Sequence, residues 1–268
     1  TLLSPALSAA DRKDRKQRDT TQYSDTYLDT VKVNSVFVLN DYFMVGVEAG
    51  FGFNRMMFNP SYTQSWRRFP EHLEVTFTKY GKMFGYMPYF GLKAGVAYSH
   101  EGFLMKMNEE TGYIGSISGA TECDYEIVEI PFLANFHYDL PSFKILMDLG
   151  PYAAYKLSIN RIGDGVTDDI RNTFLDTDKR FDYGIRAGAG FALVFDPVEL
   201  HFTAKVRYSF QNLFDPDYLS QYYYRYAYPL DLMLTAGLHF QLTKKTGKTK
   251  SALRKEAYNI VFGEESKL

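Results

Sequence analysis

The sequence predicts an all-β chain: an eight-stranded antiparallel up-and-down transmembrane β-barrel with a polar, plugged lumen. Three observations predict it. The first is strict alternation over long arms, clearest from Phe181 to Phe214. Phe181, Tyr183, Ile185, Ala187, Ala189, Phe191 and Leu193 fall on one face, as do Val198, Leu200, Phe202, Ala204 and Val206 after Asp196-Pro197. Side chains alternate across a strand, so this is a hairpin with one apolar and one charged face. Its arms exceed the ~9–11 residues that a tilted strand needs to cross lipid. The second observation is an even strand count with connections that alternate long and short, the signature of outer-membrane barrels. The third is charge on the face opposite the apolar one in nearly every strand. In a soluble sandwich two sheets would bury their apolar faces together, and neither the loop alternation nor the strand length would be required.

The elements follow in order. Thr1 to Ala10 reads as the tail of a secretory signal peptide, with Ser8 and Ala10 as the small residues before cleavage. Residues 11–41 begin with a charged run, Asp11 to Arg18, too poor in apolar groups to pack, and form a mostly disordered periplasmic segment. The barrel occupies 42–243. Its strands are predicted at Tyr42 to Met57, Leu73 to Tyr80, Tyr86 to Phe103, Cys123 to Tyr138, Phe143 to Asn160, Phe181 to Phe195, Val198 to Phe210 and Leu230 to Leu242. Short turns fall at Gly81 to Gly85, Asp139 to Ser142 and Asp196-Pro197. Long loops carry Trp66, Arg67 and Arg68, then Met105 to Thr121, then Arg161 to Arg180, then Asp215 to Pro229. A basic periplasmic tail, 244–268, has Leu253, Ala257, Ile260 and Val261 at helical spacing before Gly263 and reads equally as a frayed end or as a short amphipathic helix for a partner protein or anionic headgroups.

Composition narrows the function. A formal charge of −2 argues against a nucleic-acid partner. The single Cys123 allows no disulfide framework. The inward face is predicted to hold a charge network of Glu48, Lys93, Glu129, Asp148, Arg186, Glu199, Lys205, Arg207 and Asp231. Eight strands enclose room only for side chains, and buried charge is costly unless paired. The carboxylates are therefore expected to pair with Lys93, Arg186, Lys205 and Arg207. Inward glycines in the repeated Gly46-to-Gly50, Gly91-to-Gly95 and Gly184-to-Gly188 patterns make room for those side chains.

Other groups read as structural. His100 is expected on the lipid face, with Ser99 and Glu101 pointing the other way, which disfavours acyl hydrolysis. His137, His201 and His239 read as satisfied lumen residues, and Asp164, Asp168, Asp169, Asp176 and Asp178 as a solvated loop whose spacing matches no calcium loop. No metal, cofactor or catalytic residue is assigned. Trp66, Tyr222, Tyr223, Tyr224 and Tyr226 are candidates for an extracellular contact surface, the tyrosines equally for an interfacial girdle.

Glu129-Ile-Pro-Phe-Leu133, Ile145 to Tyr152 ending in Gly150-Pro-Tyr, Phe181-Asp-Tyr-Gly184 with Gly188-Ala-Gly190, and Arg207-Tyr-Ser209 carry a resemblance. From about Asp41 to Leu242 the chain resembles the PorT-type eight-stranded outer-membrane barrels of Bacteroidetes. The resemblance implies an integral outer-membrane protein surrounded by lipid, with a link to type IX protein secretion as in some members. The expected role is a non-enzymatic structural or assembly component. The alternatives are a surface adhesin working through its loops and a lipid-modifying enzyme using His100.

Overall fold

In the computed structural model the described residues are 42–83, 87–140, 142–195, 197–215 and 225–243. The expectations for residues 1–41 and 244–268, for Tyr222 to Tyr224 and for the tips of the three short turns lie outside them. The strands are β1 (Tyr42–Asn59), β2 (Gln64–Ser65), β3 (Arg67–Met83), β4 (Met87–Met105), β5 (Glu122–Asp139), β6 (Phe143–Ile162), β7 (Phe181–Val194), β8 (Val198–Ser209) and β9 (Tyr226–Gln241). One helical turn, α1 (Asp168–Arg171), lies between β6 and β7.

The strands pair antiparallel in the order β4-β3-β1-β9-β8-β7-β6-β5, and β5 pairs back onto β4. The sheet therefore closes into a barrel with eight wall strands. The two-residue β2 only adds to the upper end of β4, Gln64 opposite Met105 and Ser65 opposite Leu104. Closure leaves no free edge, which is what allows strands to stand in lipid. The β5–β6 turn is closed by Leu140 N–H donating to Phe143 O, and the β7–β8 turn by Phe195 N–H donating to Val198 O, each at 2.8 Å.

Two boundaries differ most from the sequence reading. The second wall strand starts at Arg67 rather than Leu73, and the last starts at Tyr226 rather than Leu230. Pro70 masked the former, since it lacks the ladder's N–H. The register shifts between Gly50 and Gly52 of β1, opposite His72 and Phe69, so Pro70 sits in a bulge where no ladder bond is needed. The Tyr-rich stretch before Pro229 hid the latter, yet Tyr226 pairs with Asn59 and Tyr228 with Met57.

The outer wall is apolar without interruption across its middle. From Phe43 to Phe53 on β1, from Val128 to Tyr138 on β5 and from Leu230 to Phe240 on β9, every outward residue is aliphatic or aromatic, and the other strands follow suit. Val96, Ile130 and Met147 are each more than half exposed. Soluble monomers rarely show apolar patches above a few hundred Å², so this belt requires a hydrocarbon solvent. Aromatic rings gather at both rims. Tyr98, Tyr155, Tyr183, Tyr208 and Tyr228 lie toward the long loops, and Phe43, Phe136, Tyr138, Phe143 and Phe240 toward the short turns. Tyr and Trp favour such interfaces because the ring is apolar and the polar tip is wet.

Candidate functional site: the filled lumen

The inward face of each strand is polar, and the barrel brings those side chains together from all sides. Glu48 on β1 accepts from Lys93 Nζ at 2.8 Å, Lys205 Nζ at 2.6 Å, Thr235 Oγ1 at 3.0 Å and the His239 ring at 3.2 Å. Glu74 on β3 accepts from Lys205 Nζ at 2.6 Å and from Arg186 Nη2. β3 and β7 are four strands apart in the ring of eight, so the Arg186–Glu74 pair spans the lumen. Arg186 Nη1 also reaches Glu129 at 2.8 Å. Arg207 donates to Glu129 at 2.9 Å and clasps Asp231 through Nε at 2.9 Å and Nη2 at 2.6 Å. Both nitrogens converge on one oxygen, Asp231 Oδ2, while Oδ1 has no hydrogen-bond partner among the described residues. Arg186, Lys205, Arg207 and their carboxylates are almost fully buried, so each charge depends on its partner in a medium that repays pairing only when the geometry is complete.

The structure adds residues that the sequence reading left out of the network. Glu74 is one of its centres. Lys144 binds Glu199 at 2.7 Å, so Glu199 is not held by Lys93, Arg186, Lys205 or Arg207 as expected; His201 meets the same carboxylate at 3.1 Å. Lys156 faces Glu101 at 3.3 Å. Asp182 makes no ion pair within 4 Å among the described residues and accepts instead from the hydroxyls of Tyr152 (3.0 Å) and Ser209 and from the Tyr183 N–H at 2.8 Å. Among the described residues, eight buried carboxylates (Glu48, Glu74, Glu101, Glu129, Asp148, Asp182, Glu199, Asp231) thus share the barrel with seven buried cations (Lys93, Lys144, Lys156, Arg161, Arg186, Lys205, Arg207), of which Arg161 pairs with Asp178 in the loop above. The surplus sits toward the long loops, where Glu101, Asp182 and Asp231 meet only Lys156 and Arg207.

The lumen is layered. At the short-turn end Tyr42, Met44 and Tyr80 pack together, His137 sets its ring edge-on to Tyr80 at 4.7 Å, and His201 and His239 stack at 3.6 Å. A Cβ at Gly46 would collide with the His239 ring, so that glycine houses a histidine rather than a long charged side chain. The ionic layer lies in the middle. At the long-loop end the strands rise past the apolar belt and enclose an apolar core of Met56, Phe103, Tyr125, Ile127, Ile159, Leu213 and Phe214, backed by Phe58, Tyr62 and Phe174. The expected all-ionic filling therefore gives way to hydrocarbon above. Cys123 is buried in that core. Arg161 ties the 163–180 loop down, donating to Ile170 O at 2.6 Å and Thr173 O at 2.7 Å and pairing with Asp178.

The outer candidates fall as follows. His100 is not a bare lipid-facing histidine; it is almost buried, with Nδ1 3.1 Å from Asp124, which also meets Arg67 at 2.9 Å. Ser99 Oγ is buried and has no hydrogen-bond partner among the described residues, so Ser99 and His100 form no nucleophile–base pair. Trp66 is exposed beside the rim, and Tyr226 stacks on Tyr228 within β9.

The chain was compared with protein families, curated proteins and solved structures. The model of the outer membrane protein beta-barrel domain family matches residues 13–215. Among solved structures, Neisserial surface protein A is 13% identical with a TM-score of 0.44, over 74% of this chain and 96% of that one. The outer membrane protein OprG from Pseudomonas aeruginosa is 11% identical with a TM-score of 0.43, over 77% and 98%. No curated protein matches the sequence.

Proposed function

This chain belongs to the outer membrane protein beta-barrel domain family, and from that premise we propose that it is a non-enzymatic structural or assembly component of the outer membrane, of the PorT type and tied to protein secretion. It resides in the outer membrane with lipid around its apolar belt. In this reading the long loops face outward, both termini are periplasmic, residues 1–10 belong to a signal peptide, and the 244–268 tail engages a periplasmic partner of the secretion machinery.

The observation that carries the reading is the cross-lumen pair of Arg186 and Glu74, backed above by the Phe103 core. A barrel filled from wall to wall is suited to holding its position rather than passing solutes. The pairing of His100 with Asp124 rather than Ser99 supports a role without acyl chemistry. Cross-linking the full chain in intact outer membranes, followed by purification, tests the proposal. A periplasmic protein should be captured and should disappear when 244–268 are deleted from an otherwise folded barrel. Capture that survives the deletion overturns the tail's role, and capture of surface ligands alone overturns the assembly role.

A second reading, a surface-binding protein, is favoured by one feature. The 107–114 hairpin carries Met107 and Tyr113, both more than half exposed. Grafting Ser at both positions would abolish surface binding under that reading and leave the periplasmic partner in place.

A further inference from the structure

Just above the apolar belt, the outer face of β1 and β3 carries two arginines with no carboxylate partner among the described residues. Phe53 stands opposite Arg68 in the ladder, and Arg55 is two residues further up the same face. Both arginines are exposed. Their neighbour Arg67 differs: it is pinned between Glu122 at 3.0 Å and Asp124 at 2.9 Å. The Arg68 guanidinium lies over the Phe51 ring, 5.4 Å from its centroid, so its charge is held down against the wall at the edge of the hydrocarbon. Arg55 lines a cavity of about 330 Å³ with Met57, Ser61, Tyr62, Gln64 and Trp66. The cavity wall is built rather than loose. Gln64 mimics a strand, its side chain accepting from Met56 N–H at 3.2 Å and donating back to Met56 O.

A guanidinium at this height needs a counter-ion. Its planar fork suits phosphate oxygens, and long arginine stems lie along apolar wall while the head stays at headgroup level. Indole and phenol rings in the same cavity suit the sugar and upper-acyl region beside such a phosphate. We propose that Arg55, Arg68 and the Trp66 cavity form a binding site for a phosphorylated glycolipid of the outer leaflet, the two guanidinium groups taking its phosphates and Met57 and Trp66 its apolar shoulder. This rests on the reading that the long loops face outward.

Trp66 is the chain's single tryptophan, so its emission reports the site directly. Full-length protein in neutral detergent is titrated with diphosphorylated lipid A, with the same lipid stripped of phosphate, and with inorganic phosphate. The phosphorylated lipid should shift Trp66 emission saturably, the stripped lipid should bind at least tenfold more weakly, and phosphate alone should leave the spectrum unchanged. Arg55→Gln with Arg68→Gln should weaken binding at least tenfold while the unheated protein keeps its compact electrophoretic mobility. Equal binding of both lipids, or an unaffected double variant, overturns the site. A full response to inorganic phosphate assigns it to a free anion and overturns the lipid. Protease shaving of the 107–114 loop on intact cells reads sidedness separately. Protection there overturns the outward orientation and with it the choice of outer-leaflet lipid, even where the micelle titration shows phosphate recognition.

Discussion

Lys144 on β6 donates to the Tyr42 hydroxyl on β1 at 2.8 Å, across the full width of the barrel. The same ammonium lies over the Tyr80 ring at 4.7 Å and binds Glu199, so one cation gathers β1, β3, β6 and β8 at the short-turn end. The lumen is occluded there by polar contacts and at the other end by hydrocarbon. Reconstituted into planar bilayers, the protein should show no stepwise conductance; steady open-channel steps at moderate voltage would contradict the occlusion.

Arg207 and Asp182 should respond unequally to neutralisation. Arg207→Met leaves Asp231 and Glu129 buried with a partner lost, a change that costs about 3–5 kcal/mol. Asp182 accepts from the Tyr152 and Ser209 hydroxyls and from the Tyr183 N–H and pairs with no cation among the described residues, so Asp182→Asn, which keeps an accepting oxygen, should cost about 1 kcal/mol or less, the net worth of a neutral hydrogen bond. Urea titration of the protein folded in liposomes measures both. Equal losses would mean that the upper carboxylates are compensated in some other way.

Leu234 lies at mid-height on the lipid face of β9 and is half exposed. Leu234→Arg should destabilise the folded barrel by roughly 2–4 kcal/mol, as charge at the bilayer midplane does, and Tyr228→Arg by about 0–1 kcal/mol near the interface. The comparison is made by reversible refolding into vesicles. A depth-independent cost would place the belt elsewhere on the wall.

Arg161 is the anchor of the 163–180 loop. Arg161→Ala removes its bonds to Ile170 O, Thr173 O and Asp178, and each buried bond to a charged group is worth about 1.5–3 kcal/mol. Brief trypsin treatment should then cut after Arg171 or Arg180 at least tenfold faster, with the barrel intact on gels. An unchanged cleavage rate would show that the loop is held by its apolar contacts, Phe174 above all.

Alternation made the wall legible. Period-2 patterning assigns Phe191, Phe202 and Leu234 to one face and Arg186, Lys205 and Asp231 to the other without any tertiary information, because a strand has only two faces. Which charges meet was not legible. Glu74 joins Arg186 only because β3 and β7 lie opposite in the closed ring, and Glu199 meets Lys144 rather than a nearer-looking cation because shear sets their heights. Bulges hid the rest. The slip at Gly50–Gly52 concealed the start of β3, and the one between Glu126 and Ile127 moves Ile159 and Arg161 to the inner face. The upper apolar core escaped notice because its residues come from strand ends and loops, such as Phe103, Leu213 and Phe214, where no periodicity announces them.

The β1–β9 ladder runs unbroken through sixteen residue pairs, from Met44 with Gln241 to Asn59 with Tyr226. The earliest strand therefore waits for the latest. Until Tyr226–Gln241 docks, β1 and β8 each present an unpaired row of amides, the kind of margin on which strangers assemble. Quality control during export must reckon with that interval, and a chaperone that shields β1 until the final strand arrives would act at the seam where the cylinder is sealed.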